Sequence, residues 1–276
     1  MAIAPTHALN DGLQLPALGL GTYPMDDLEA ADAVRGALDL GYRLVDTAAS
    51  YGNEAGVGQG IATSDVPRDE ITVTTKLRGQ DQGYESTLRA FGESRVRLGV
   101  EYVDLYLIHW PLPRVDRYVD SWRAMIRLRD DGLLNSLGVS NFTPEQIDRL
   151  VAETGVAPAV NQIERHPYLV QEELCAYDAE HGIVTEAWQP LARKTDLLSE
   201  AVIGEIAARH EVTPAQVVLR WHVQRDVVPI PKSSSEQRQR ENLDVFDFAL
   251  TDEEMAVIGD RPQVRSGGDP MVHEEL

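Results

Sequence analysis

Four side chains able to move or steer a proton stand out in this 276-residue chain: Asp46, Tyr51, Lys76 and His109. Asp46 closes a short apolar run, Leu44-Val45, too brief for a helix and long enough for a buried strand. A carboxylate there has little water to hold its charge and calls for a cationic partner. A loop of small residues then carries Tyr51 to the same rim, before a helix that starts near Asn53. A lysine cation beside a phenol favours the phenolate and lowers its pKa. A carboxylate keeps that lysine charged, and a neutral imidazole can hydrogen-bond a substrate oxygen. Together these groups equip a site to give a proton to a carbonyl whose hydride comes from elsewhere. Singly, each has a plainer reading, Asp46 and Tyr51 as a capping loop with an aromatic plug and His109 as a strand cap. Other chemistries find less support. No His-x-His pair or cysteine cluster supplies three metal ligands, although His109, Asp46 and Glu54 leave a weak site open. No serine or cysteine has an obvious base beside it.

The elements that must position these groups alternate along the chain. A hairpin over 7–15 turns at Asp11-Gly12. Strands are predicted at 17–20, 44–45, 71–75, 103–108, 136–139, 159–162, 183–187 and 227–230. Helices are predicted at 27–40, 53–63, 81–98, 119–130, 143–153, 171–181, 199–210, 213–225, 235–242 and 251–259. Eight βα units with no linker-like break predict a single (β/α)₈ TIM barrel over 1–276, with extra helices after the seventh strand and at the C-terminus. The rival is a doubly wound sheet, whose fingerprint needs Gly-x-Gly-x-x-Gly directly after a strand. Gly19-Leu20-Gly21 lacks the third glycine, and Gly56-Val57-Gly58-Gln59-Gly60 falls inside a helical pattern.

In a barrel all strand ends open onto one rim, where active sites lie. The remaining ends carry Ser140-Asn141, Asn161-Gln162, Trp188-Gln189 and Lys232-Ser233-Ser234. So many polar or aromatic endings on one rim point to a functional pocket.

A formal charge of -20 argues against nucleic acid or an anionic membrane as partner. The one cysteine, Cys175, permits no internal disulfide and reads as a buried thiol. Met1 to Pro5 lacks the charge and apolar run of a signal peptide, and no run approaches a membrane span, so a cytoplasmic protein is expected.

The blocks Gly41 to Ala48 with Tyr51 to Glu54, Asp104 to Pro111, Gly138 to Phe142, Asn161 to Glu164 and Ile230 to Asn242 resemble those of the aldo-keto reductases, in order and along nearly the whole chain. Within that family the chain is most similar to the short bacterial 2,5-diketo-D-gluconate reductase subgroup. The resemblance implies NADPH-dependent reduction of aldehydes or ketones, keto-sugar acids among them, by a monomer acting on a small-molecule carbonyl. Tyr51 would be the general acid, Lys76 its partner, Asp46 the lysine's counter-ion and His109 the substrate-orienting group. Ser140, Asn141 and Gln162 would hold the nicotinamide carboxamide and Trp188 would stack on the ring, with Gln189 and Leu191 in the following loop. Lys232, Ser233 and Arg238 would bind the 2′-phosphate, and Glu241 and Asn242 the adenine. Tyr23 and Trp110 would line the substrate pocket. Some positions depart from the family pattern. Trp188 replaces a common Tyr, and Gln189 and Ala192 replace small residues. Arg78-Gly79 replaces a Trp-Asn pair, predicting a more open or more polar wall, and the tail from Val264 is short. Because some members serve as regulatory or structural subunits, an NADP(H)-binding protein with little turnover is the alternative.

Overall fold

A parallel strand covered on both faces needs apolar side chains along its length, and this chain supplies them as short runs between amphipathic helices. The computed structural model describes residues 4–275; the first three residues of the expected leaderless N-terminus lie outside them. β1 (Thr6–Ala8) and β2 (Gln14–Pro16) form an antiparallel hairpin. The parallel strands are β3 (Leu20–Gly21), β4 (Leu44–Asp46), β5 (Thr72–Leu77), β6 (Val103–Ile108), β7 (Leu134–Ser140), β8 (Val160–Glu164), β9 (Val184–Trp188) and β10 (Val228–Ile230). Each pairs with the next in sequence order. Gly19 N–H donates to the Pro229 carbonyl and Gly21 N–H to the Pro231 carbonyl, both at 3.1 Å, and close the ring. Around it lie α1 (Asp27–Leu40), α2 (Glu54–Ala62), α3 (Tyr84–Leu98), α4 (Tyr118–Asp130), α5 (Pro144–Thr154) and α6 (Glu172–Glu180). α7 (Ala201–His210) and α8 (Pro214–Val223) both follow β9, and α9 (Glu236–Leu243) and α10 (Asp252–Gly259) follow β10. This is the expected (β/α)₈ barrel with its extra helices.

The hairpin closes the N-terminal mouth. Leu9 and Leu15 pack with Leu44, Leu105, Leu107, Val160, Val228 and Ile230 inside the barrel. Asn10 donates to the Pro158 carbonyl, and Ser136 to the Asp11 carboxylate, at the strand starts. Only the C-terminal mouth stays open for chemistry.

Four expectations shift. β3 begins at Leu20, not residue 17, because the Ala17 amide is spent on the Pro5 carbonyl instead of a barrel neighbour. β5 runs through Leu77, so Lys76 is a strand residue and not the one after its end. α3 starts at Tyr84, since residues 79–81 make a separate 3₁₀ turn and Gly83 takes φ 116°. Cys175 is half-buried instead of buried, on a helix whose one buried residue is Asp178. No helix among the described residues is long and apolar enough to cross a membrane.

α1 and α2 pack closely in the ring, and glycine makes the contact possible. A Cβ on Gly56 would lie 2.1 Å from the Asp27 carbonyl oxygen, a backbone atom that cannot swing aside. Gly56→Ala should therefore cost about 1–3 kcal/mol from overpacking, in spite of alanine's better helix propensity. Urea denaturation reads the loss; a stability equal to or above wild type would show that the two helices can separate at no cost.

Candidate active site

Strand register places the central pair. Asp46 on β4 lies opposite Thr74 on β5, and side chains two residues apart share a face. Lys76 therefore projects on the same side as Thr74, one step nearer the rim, over the Asp46 carboxylate. Its Nζ donates to Asp46 Oδ1 at 2.6 Å, to the Thr47 carbonyl at 2.9 Å and to Tyr51 Oη at 3.5 Å. Lys76 is fully buried. Burial disfavours its charge, yet the Asp46 carboxylate outweighs that and holds the ammonium above its usual pKa. Tyr51 arrives on a 3₁₀ turn, Ala49–Tyr51, ended by Gly52 in the left-handed region. Burial pushes the phenol up and Lys76 pulls it down; the net direction is up, against the lowering expected from Lys76 alone. The His109 N–H extends the β6 ladder to the Leu77 carbonyl, and its ring stands edge-on to Tyr51 at 5.7 Å between centroids.

Beside this group, donors are consumed inside the wall. Asn141 Nδ2 donates to the His109 carbonyl and to Ser140 Oγ, and Ser140 Oγ donates to the Gln162 carbonyl. Gln162 Nε2 donates at 2.8 Å both to Asp46 Oδ2 and to Glu186 Oε2. The Trp188 indole N–H donates to Asn141 Oδ1 at 2.9 Å. What Asn141 and Gln162 offer to the cavity is therefore oxygen.

The cavity measures about 850 Å³. Tyr23, Asp46, Tyr51, His109, Trp110, Asn141, Gln162, Trp188, Gln189, Leu191 and Lys232 all line it, while Lys76 and Ser140 stand just behind them. Ser233 is buried after β10, where its hydroxyl and the Ser235 backbone bond each other at the start of α9. Arg238 is exposed on α9, and no carboxylate among the described residues pairs with it. Glu241 is half-buried near the end of that helix and Asn242 is buried. The chain has three lysines; Lys194 and Lys232 line the cavity and Lys76 lies beneath it. Glu54, allowed above as a weak metal ligand, binds Arg97 and Thr75 instead. Among the described residues no three suitable side chains lie close enough to hold a metal.

A model of the aldo/keto reductase family matches residues 16–260. The chain is 50% identical to 2,5-diketo-D-gluconic acid reductase B of a Corynebacterium species, over 99% of both chains. It is 48% identical to morphine 6-dehydrogenase of Pseudomonas putida, over 97% of this chain and 95% of that one. The chain belongs to the aldo/keto reductase family. Solved structures agree. A point mutant of Gox0644 in complex with NADPH superposes with a TM-score of 0.93 at 43% identity, over 99% of this chain and 100% of that one. The Bombyx mori aldo-keto reductase in complex with NADP gives 0.88 at 37%, over 94% and 93%.

In this aldo/keto reductase, sequence reasoning missed three carboxylates. Glu164 on β8 is buried and accepts from the backbone of Ser266 and Gly267, pinning the C-terminal tail. Glu275 in that tail reaches His109 Nδ1 at 2.7 Å. The wall at Arg78-Gly79, expected to be more open or more polar, is polar and is closed by this tail: Gly79 N–H donates to Glu275 and Arg78 pairs with Asp81. Glu186 sits inside the barrel, where its position on an apolar strand gave no signal.

Burial, reinforced by the Asp46 charge, pushes the Glu186 carboxyl from its ordinary 4.5 up to about 8. The folded protein then keeps a proton that the unfolded chain has already released. Stability must fall as pH rises from about 4.5 to about 8. Glu186→Gln removes that slope, so its advantage over wild type should be small at pH 5 and grow by roughly 1 kcal/mol per pH unit towards pH 8. Denaturation at several pH values measures it; a pH-independent difference would mean that Glu186 ionises normally within the fold.

Proposed function

We propose that this enzyme reduces aldehydes or ketones to alcohols with NADPH, and that Tyr51 gives the proton. One observation carries the reading: the Lys76 ammonium touches both Asp46 and Tyr51, beside His109, on the floor of a large cavity. Burial keeps Tyr51 protonated at neutral pH, as a proton donor must be. The nearby ammonium stabilises the phenolate that forms as the proton leaves. His109 orients the carbonyl oxygen, and Tyr23 and Trp110 flank the substrate.

The donor set suits a nicotinamide dinucleotide carrying a 2′-phosphate. Asn141 and Gln162 offer oxygens, which match the N–H pair of a primary carboxamide, and the Trp188 ring gives a flat apolar surface. Ser140 braces Asn141 and Gln162 from behind. Gln189 and Leu191 line the approach along the rim. Lys232, Ser233 and the unpaired Arg238 gather at the start of α9, where cations and free N–H groups suit a phosphate. Glu241 and Asn242 follow on that helix for the adenine. When bound, the reduced nicotinamide supplies the hydride. The whole chain, 1–276, works in this reading as one domain.

Tyr51→Phe keeps the ring and removes the transferable proton. Turnover should fall on the order of a hundredfold or more, while NADPH still quenches tryptophan fluorescence. Undiminished turnover would move the acid role elsewhere.

The cofactor's phosphate must approach a protein of formal charge -20, so its attraction has to be local. Arg238→Ala should weaken NADPH binding roughly ten- to a hundredfold, the value of one charge-assisted contact, and leave NADH binding nearly unchanged. Titration with both cofactors at fixed salt decides; equal losses would make Arg238 a support of the fold.

A further inference from the structure

The tail lies along the substrate side of the cavity and is held at every step. The Val264 amide bonds the Tyr168 carbonyl, and Ser266 and Gly267 bond Glu164. Gly267 lies so close to Trp188 that a Cβ there would come within 2.2 Å of the indole. His273 packs on Trp110 at 4.1 Å between ring centroids. The tail then delivers Glu275, whose Oε1 lies 2.7 Å from His109 Nδ1 while Oε2 accepts from Gly79 N–H at 2.9 Å. The recess is made for it. A Cβ on Gly79 would stand 2.3 Å from the Glu275 carbonyl oxygen and 2.5 Å from Leu112. Glycine at 79, one of the departures from the family pattern, is thus what lets the tail close here.

We propose that Glu275 determines specificity: its carboxylate fixes a negative charge beside the carbonyl-orienting His109, so the site takes uncharged aldehydes and ketones and turns away those with a carboxylate next to the carbonyl. The inference rests on the reading of His109 as the group that faces the substrate oxygen. Burial alone would raise the Glu275 pKa, but hydrogen bonds from His109, Ser50 and Gly79 outweigh it, and the group is ionised at neutral pH. His109, which bonds it, also attracts it as a charge partner; other cations near the cavity are engaged elsewhere or lie on its far side. Arg78 is held by Asp81 at 2.5 Å and Lys232 by Glu29 at 3.0 Å. Arg193 and Lys194 belong to the loop after β9, beside Gln189 and Leu191 on the cofactor's approach. Two like charges within several ångströms in such a half-buried site cost at least a tenfold factor in affinity or rate.

A matched pair of substrates isolates the charge. Phenylglyoxylate and its methyl ester present the same ketone with and without an adjacent anion. Glu275→Gln keeps the size of the side chain and one accepting oxygen, and removes its charge. With NADPH at fixed pH and salt, the acid-to-ester ratio of kcat/KM should rise roughly tenfold or more in Glu275→Gln. Gly79→Ala, which forces the tail out of its recess, should move the ratio the same way. An unchanged ratio in Glu275→Gln would overturn the inference. So would equal gains for acid and ester, which would make the tail a plug and not a charge filter. If wild type reduced neither compound, nor a panel of simple aldehydes, the proposed reductase reading itself would fall.

Discussion

A fully buried ammonium is the constraint to which the rest of this barrel answers. Removing an ion from water costs several kcal/mol even after relaxation, and Lys76 has no water-facing surface to relieve it. The Asp46 oxygen at 2.6 Å and the Thr47 carbonyl at 2.9 Å meet that cost directly. The other Asp46 oxygen is bonded by Gln162, which also reaches Glu186. One ion pair thus organises side chains from β4, β5, β8 and β9. It also holds the Lys76 ammonium in place 3.5 Å from the Tyr51 hydroxyl.

The two mouths of the barrel are treated in opposite ways. At the N-terminal end the hairpin inserts Leu9 and Leu15 and seals the interior with apolar contact. At the C-terminal end the tail crosses through polar anchors, Glu164 at its start and Gly79 near its finish. An apolar plug is rigid and indifferent to ligands. A polar strap can contribute a charge, and this one sets a carboxylate 2.7 Å from His109 Nδ1.

The barrel and the side chains gathered at its rim were legible because their signals are local. Asp46, His109, Ser140 and Trp188 each sit at or just past the end of a short apolar run, with Tyr51 on the loop that follows one, and parallel strands bring such ends together without further information. Lys76 was found although it lies one residue inside its strand, because β5 continues further than its β-branched run suggests. The start of β3 was misplaced since Ala17 bonds the N-terminal segment, a partner invisible to periodicity. Glu275 and Gly79 meet across 196 residues, and neither has a pattern of its own; a glycine in a loop and an acid near a chain end are ordinary. The net rise of the Tyr51 pKa was equally hidden, because residue types reveal a neighbouring charge but not the degree of burial that opposes it.

The distribution of lysine has a practical side. Of 25 basic residues only three are lysines, and all three stand at or under the cavity. Lys76 is sealed away from bulk reagents, which leaves Lys194 and Lys232 as the accessible side-chain amines. Amine-directed coupling through these side chains to a resin or a dye would consequently fasten this protein by its own entrance. Carboxylate-directed or arginine-directed linkage, spread over an acidic exterior, leaves the entrance clear. The same scarcity makes acylation of Lys194 and Lys232 a direct footprint of whatever occupies the rim.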